Sequence, residues 1–448
     1  MSEIRQIPLG DVVNFKKGIN YTSNDYGNED NGVPFITIKC FKKGGGYENN
    51  GLKYFKGIFN ESDTLVKGQV LFSVTDLTRA GDIVGSPLKV PDFGKNRISL
   101  ASMDLMKIEP KDGECINEYI YYCLMSDDIR RKMVNYSAGS TVLHLDIKRV
   151  PEFIVPIPKI SIQRKIARIL STIDVVIEKT EAAINKYKNI KAGMISDLFT
   201  RGIDLDTGKL RPSYEEAPEL YKQSELGWIP KEWEVVRIGS FSQIKGGKRL
   251  PAGREFSYSE TPFPYLRVTD MVDGSIYQSD LKYVPVDIEP IIRSYKIAKK
   301  DVYVTIAGTL GLFGTIPDNL DNAQLTENAA KITDYDPNQY ERDFIKHQCS
   351  CSVIQKQIIR EIGIGGGVPK LALFRIARFL FLKPEIEEQK QIVNCINRNE
   401  QLILSEKRYL VKLLYIKQAL MSDLLTGKVR VKYEEEKEEV GNGQNRKF

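Results

Sequence analysis

The chain repeats itself, and the repeat limits what it can fold into. PKISIQRKIARIL (158–170) lines up with PEIEEQKQIVNCI (384–396), so Pro158 matches Pro384, Gln163 matches Gln389 and Ile166 matches Ile392. The register runs on without a gap to ISDLFT (195–200) against MSDLLT (421–426). About forty residues without an insertion is what an uninterrupted helix requires, because one extra residue would rotate every later side chain off its face. Upstream, Gly139 matches Gly365, Leu145 matches Leu371, Ile147 matches Leu373 and Cys123 falls on Cys349. With small gaps, PFITI (34–38) matches PYLRV (264–268), and LGDVVNFKKG (9–18) resembles IGSFSQIKGG (238–247). Helical stretches match well and the stretches between them poorly, as in a duplicated scaffold with divergent recognition surfaces.

The 448 residues suit two domains. The repeat predicts an α+β protein of two β-rich globular domains, each followed by a long helix. The expected order is a first domain at 1–158, a helix at 159–201 and a linker at 202–232. A second domain at 233–384, a second helix at 385–427 and a disordered tail at 428–448 follow. Short β-branched runs such as QVLFSV and DVYVTIAG, broken by Gly, Asn and Asp turns, give the domains their β character.

Along the first helix a heptad stripe reads Ile162, Ile166, Ile169, Ile173, Val176, Thr180, Ala183, Tyr187, Ile190, Met194. The second helix places Ile392, Leu402, Tyr409, Leu413, Ile416 and Leu420 on the equivalent stripe, with Asn399 and Glu406 interrupting it. Polar residues in such a seam fix register at some cost in stability. A helix of this length spans roughly 60 Å and overhangs any domain of this size. The two helices are therefore expected to pair as an antiparallel coiled coil. That direction brings the end of the first helix close to the start of the second and leaves the linker a short path. The two domains would then be related by pseudo-twofold symmetry, which matches the dyad of duplex DNA and its paired half-sites.

Loops beside the predicted strands carry cations and amides. The first domain offers Lys16, Lys17, Asn20, Lys39, Lys42, Lys43, Arg79 and Arg97, with Tyr21, Ser140 and Thr141 as further polar candidates. The second offers Lys245, Lys248, Arg249, Arg254, Arg267 and Lys370, with Thr269 and Thr309. Lys and Arg neutralise phosphates, and Arg, Asn and Gln can bond base edges. Gly44–Gly46 and Gly363–Gly367 allow close backbone approach. The net charge of +6 permits contact with nucleic acid without demanding it.

Catalytic patterns are sparse. There is no GxxxxGK[ST] phosphate loop, and DPNQ (336–339) lacks the second proline and aromatic of a base methyltransferase motif. Pro91-Asp92 with Glu109-Pro110-Lys111 spells a loose nuclease pattern, but Pro110 stands where a strand residue should donate to a sheet. His347, Cys349 and Cys351 read as a core helix face and not a zinc site, because only His347 and Cys351 would share a side. Six cysteines without a CxxC pair, no apolar run of membrane-spanning length and no signal pattern in MSEIRQIPLG point to the cytoplasm and no membrane partner.

The repeated proline, apolar, Gln, Ile motif resembles the specificity (S) subunits of Type I restriction–modification systems. So do the ISDLFT and MSDLLTGKVRV helix ends, SELGWIPKEWEVVRIG (224–239) and the GST segment (139–141). The resemblance covers nearly the whole chain and is weakest at 40–135 and 270–360. It implies two target-recognition domains reading halves of a split, asymmetric sequence in double-stranded DNA. It implies helices that act as ruler and dock two modification (methyltransferase) subunits. Those subunits carry S-adenosylmethionine and methylate adenine, and restriction subunits with translocase and nuclease activity are further partners. The chain itself would bind no cofactor or metal and have no catalytic residue. GGVPK (366–370) stands where the first unit has STVLH (140–144), so contacts there are expected to differ between halves. The competing reading is a non-catalytic coiled-coil scaffold or adaptor that binds proteins.

Overall fold

A computed structural model of the chain describes residues 4–78, 80–94, 98–362 and 369–431. Arg79, Arg97, the glycine run 363–367 and residues 432–448 of the expected tail lie outside the described residues. The chain divides into two compact units, Met1–Glu181 with Arg408–Phe448, and Ala182–Lys407. The division falls inside the long helices because each half-helix packs on a domain.

In the first unit, Arg5–Pro8 pairs antiparallel with Ile154–Ile157, closing the domain just before the long helix starts. One four-stranded sheet runs Val13–Lys17, Leu105–Pro110, Val70–Ser73, Pro87–Lys89, all antiparallel. A second runs Tyr26–Gly27, Lys53–Phe55, Val33–Ile36, Leu100–Ala101, and its last pair is parallel. Val70–Ser73 is buried at every residue, as the unbroken apolar run VLF suggests. Helices Asn117–Met125 and Asp127–Asn135 cover the sheet. The core joins Val70, Phe72, Ile108, Tyr119 and Tyr122 to Ile162, Ile166 and Leu170 of the first long helix and Met421, Leu424 and Leu425 of the second.

The second unit follows the same plan. Glu234–Arg237 pairs with Leu380–Lys383. One sheet runs Gln243–Gly246, Ala329–Thr333, Val302–Thr305, Phe313–Gly314. Another runs Lys282–Tyr283, Pro264–Leu266, Ala323–Leu325, Lys296–Ile297, and again one pair, Pro264–Leu266 with Ala323–Leu325, is parallel. The duplication therefore extends through sheets whose sequences barely match. Its core joins Trp233, Val302, Phe344 and Phe381 to Leu198, Phe199, Ile392 and Ile396. The matched glycines Gly18 and Gly247 have one cause. A Cβ at Gly18 would lie 2.1 Å from the Ser102 carbonyl oxygen, and one at Gly247 2.2 Å from those of Leu325 and Thr326. Two backbones approach too closely there for any side chain.

The long helices span Ile160–Leu198 and Ile386–Thr426. Within each unit they run antiparallel. Ile162 and Ile166 share a core with Leu424 while Asp174 meets Lys417 in the first. Leu198 shares a core with Ile392 while Lys191 meets Glu400 in the second. The seam differs from the heptad expectation. Ile166, Ile392 and Leu413 are buried and Leu420 packs against the first core. However, Ile190, Leu402 and Ile416 are 44, 49 and 38% exposed. Ile169, Ile173 and Val176 are only half-buried. Leu170, Ile177, Ile184 and Ile403 take the buried places instead. At alternate positions the stripe lies one residue further along. Apolar neighbours such as Ile169-Leu170, Val176-Ile177 and Leu402-Ile403 satisfy either count. Each helix also packs on its domain, which widens the stripe and moves its centre off a strict two-helix seam.

The linker is tied down. Tyr221–Ser224 and Gly227–Pro230 form a hairpin. Ahead of it, Arg211 makes two hydrogen bonds to Glu388, which also accepts from Trp233 Nε1 at 3.0 Å and the Ile203 amide at 2.8 Å. Glu388 is 2% exposed, so every oxygen lone pair facing the interior is met by a donor.

Candidate nucleic-acid interface

Three loops of the first unit stand side by side. Leu143–Leu145 lies between Ser137–Ala138 and Thr75–Asp76, which places the loop carrying Ser140 and Thr141 next to residues 77–78 and 80–83. The third loop joins through the Gly44 amide, which donates to the Asp82 carbonyl at 3.1 Å, and through Lys43, 2.7 Å from the Asp82 carboxylate. The rim so formed exposes Lys42, Lys43, Ser140, Thr141 and His144.

The loops are braced from beneath. The fully buried Asp76 accepts main-chain N–H groups from Thr78, Ile83 and Val84 at 2.7, 2.5 and 2.9 Å. Burial works to raise its pKa, but these three donors outweigh it and hold the carboxyl below its ordinary value. At Gly139 (φ +144°) a Cβ would sit 1.9 Å from the Val142 carbonyl, so the tight turn before Ser140 excludes other residues.

The second unit repeats part of this arrangement among its described residues. Ala307 bridges Lys370, and the Leu371 amide donates to the Ile306 carbonyl at 2.9 Å, as Leu145 does to Val74. Gln355 holds the adjoining loop through the Gly311 carbonyl at 2.9 Å. Thr309 and Lys370 are exposed on it. Lys370 occupies the place of His144. His144 is a rim residue outside the sequence-derived candidates, although the STVLH and GGVPK match pairs it with Lys370.

The other candidates separate into two groups. Lys17, Asn20 and Tyr21 flank Gly18, and Lys248 and Arg249 follow Gly247, so these sit at equivalent crossings. Tyr21 packs against Tyr26 and Phe35, and burial pushes its hydroxyl up to about 12. Lys248 lies 5.7 Å from the centre of the Tyr295 ring. Lys39 is exposed in a short turn capped by Thr37, and Thr269 in the turn following Arg267.

The remaining cations have acidic partners, as do the rim residues Lys43, with Asp82, and Lys42, 3.7 Å from Glu181. Lys16 lies 3.0 Å from Asp63 and Lys245 2.6 Å from Asp334, while Arg254 bonds Asp287. Arg267 bonds Asp270 at 2.7 Å and Asp280 at 3.2 Å. Those charges are matched within the domain and contribute less to an outward positive field.

Among the described residues no group of three or more His, Cys, Asp or Glu is placed to hold a metal ion. Asp92 pairs with Lys67 and Glu109 with Lys107, so the loose nuclease spelling does not gather into one site. His347, Cys349 and Cys351 are buried, and burial raises both thiols. No described helix is long and apolar enough to cross a membrane.

The sequence profile of the Type I restriction modification DNA specificity domain matches residues 1–188 and again 230–414. The chain is 24% identical over 380 residues to the Type I restriction enzyme MjaVIII specificity subunit of Methanocaldococcus jannaschii, covering 84% of this chain and 81% of that one. It is 21% identical over 342 residues to the EcoBI specificity subunit of Escherichia coli, covering 73% and 65%. The crystal structure of a Type I restriction–modification S subunit from M. genitalium shares the fold with a TM-score of 0.56 at 16% identity, over 95% of this chain and 96% of that one. The chain belongs to the Type I restriction–modification specificity-subunit family and carries its DNA specificity domain twice.

Proposed function

We propose that this chain reads a bipartite, asymmetric target in double-stranded DNA, one half with each unit, inside a cytoplasmic Type I restriction–modification complex. The observation that carries the reading is a strand pairing at the rim made twice on one scaffold with different residues at matching places, His144 in one unit and Lys370 in the other. Cations and hydroxyls of a rim seat phosphates and set orientation, while divergent side chains discriminate bases. Two unlike rims favour two unlike half-sites over a palindrome.

The chain itself performs no chemistry in this proposal. The helices dock two modification subunits, which bring S-adenosylmethionine and methylate adenine, and restriction subunits join the same assembly. Footprinting the chain together with its methyltransferase should protect two short blocks with centres about 10 bp apart, one helical turn. One continuous block would overturn the bipartite reading.

A further inference from the structure

Each unit carries a polar contact in the helix seam, and the two occupy matching positions of the repeat. In the first unit, Asp174 Oδ1 lies 2.6 Å from Lys417 Nζ, with the side chains 20 and 16% exposed. The other oxygen, Oδ2, accepts from the Tyr122 hydroxyl at 2.7 Å. Tyr122 is fully buried on the domain helix Asn117–Met125, and Lys89 lies over its ring at 5.4 Å. One carboxylate thus joins its own long helix, the other long helix and the recognition domain. In the second unit Glu400 stands in the place of Asp174 and Lys191 in that of Lys417, 2.7 Å apart. His347, on the matching domain helix Arg342–Ser350, brings Nδ1 to 4.0 Å from Glu400.

We infer that Asp174–Lys417 and Lys191–Glu400 set the register of the helix pair, and that Tyr122 transmits that register to the first domain. These are positioning residues for the gap between half-sites, and the inference rests on the two-headed reading proposed above. Apolar packing alone is a poor judge of register here. It is non-directional, and adjacent apolar residues such as Ile169-Leu170, Leu402-Ile403 and Leu413-Leu414 let a shifted helix present a comparable stripe. The polar contacts break that degeneracy. A slip of one heptad would set Asp174 against Leu410 or Leu424, and Glu400 against Ile184 or Leu198. Each slip strands half-buried charges without partners, so wrong registers are penalised more than the right one is favoured.

The test uses the full chain assembled with its methyltransferase. Spin labels at Lys179 and Lys412, both exposed and both in the first unit, report register without DNA in a Cys395→Ser background. The variant replaces Asp174, Lys417, Lys191 and Glu400 with Leu, which keeps the seam apolar and the helices paired. It should give a second, longer distance population, because a slip of one heptad shifts the two facing labels about 10 Å apart along the helix axis. Its preference for the native gap over one about three base pairs longer or shorter, the duplex equivalent of a roughly 10 Å slip, should fall about tenfold, as the penalty on slipped registers disappears. Exchanging the first pair, Asp174→Lys with Lys417→Asp, should restore the single distance.

A single native distance in the leucine variant overturns the inference whatever the DNA result. A shifted register with an unchanged gap preference overturns the link between register and gap. If the unmodified complex shows no split target, the two-headed reading fails independently of the distances.

Discussion

Gln163 and Gln389 make the same three hydrogen bonds in different units. Gln163 Nε2 donates to the carbonyls of Glu114 and Pro158, both at 2.9 Å, and Oε1 accepts the Ile116 amide at 3.1 Å. Gln389 Nε2 donates to the carbonyls of Gln339 and Pro384 at 2.8 and 2.9 Å, and Oε1 accepts the Glu341 amide at 2.9 Å. Both side chains are fully buried. The first turn of each long helix is thereby stitched to the strand before it and to the loop leading into the domain helix. Gln163→Leu strands two carbonyls and one amide away from water and should cost about 3 kcal/mol. Gln389→Leu should cost the same. Denaturant unfolding of both variants checks this, and a loss confined to one of them would show that the two joints are not equivalent.

Glu388 holds Arg211, Trp233 Nε1 and the Ile203 amide together. Glu388→Ala leaves two N–H groups unmatched and a buried guanidinium facing the more distant Glu232, at 4.0 Å, for a loss of about 4 kcal/mol. Replacing Glu388 and Arg211 together with Leu removes the stranded guanidinium but leaves the two N–H groups unmatched, so it should recover about half of that. Trp233 fluorescence during unfolding reports both. A double variant as unstable as Glu388→Ala would contradict this account.

His347 is 4% exposed, and burial, aided by Lys346, lowers its pKa from 6.5 to about 4. The folded state therefore binds fewer protons than the unfolded chain in that interval. The neutral ring's contribution is intact above pH 6.5 and is lost progressively as pH falls towards 4, by on the order of 3 kcal/mol in all. His347→Gln removes the titrating group. Thermal melts at pH 7.5 and 5 should show a smaller drop for this variant than for the parent chain, and an equal drop would count against a neutral His347.

Lys370 is exposed on the second rim, whereas Lys245 is paired with Asp334. In the assembled complex, Lys370→Ala should weaken DNA binding across sequences and reduce the slope of log K against log salt by about 0.9. Lys245→Ala should change the slope less. Equal changes would deny the rim its assigned place.

The sequence exposed the helices because their match has no gap and their burial repeats every few residues. It misplaced alternate seam positions because Ile169 and Leu170 are chemically interchangeable in a count, and only the domain's packing on the helix flank chooses between them. The sheets were harder. Their strands run two to six residues, and the parallel pair joins Phe35 to Leu100 across a long insertion. Glu388 looked like an ordinary acid in a first helical turn, because its partner Arg211 lies 177 residues away. The cation candidates failed to sort for the same reason: Asp287 and Asp280 are brought to Arg254 and Arg267 only by the fold.

All six partners of Gln163 and Gln389 are main-chain atoms. A joint of that kind places no demand on the identity of the residues it grips. Glu114, Ile116, Gln339 and Glu341 can each be exchanged without breaking it, provided the chain passes through the same points. The domain surfaces are thus free to drift, and whole domains to be traded between scaffolds, while the attachment stays constant. A reading head can change its alphabet without renegotiating how it is mounted.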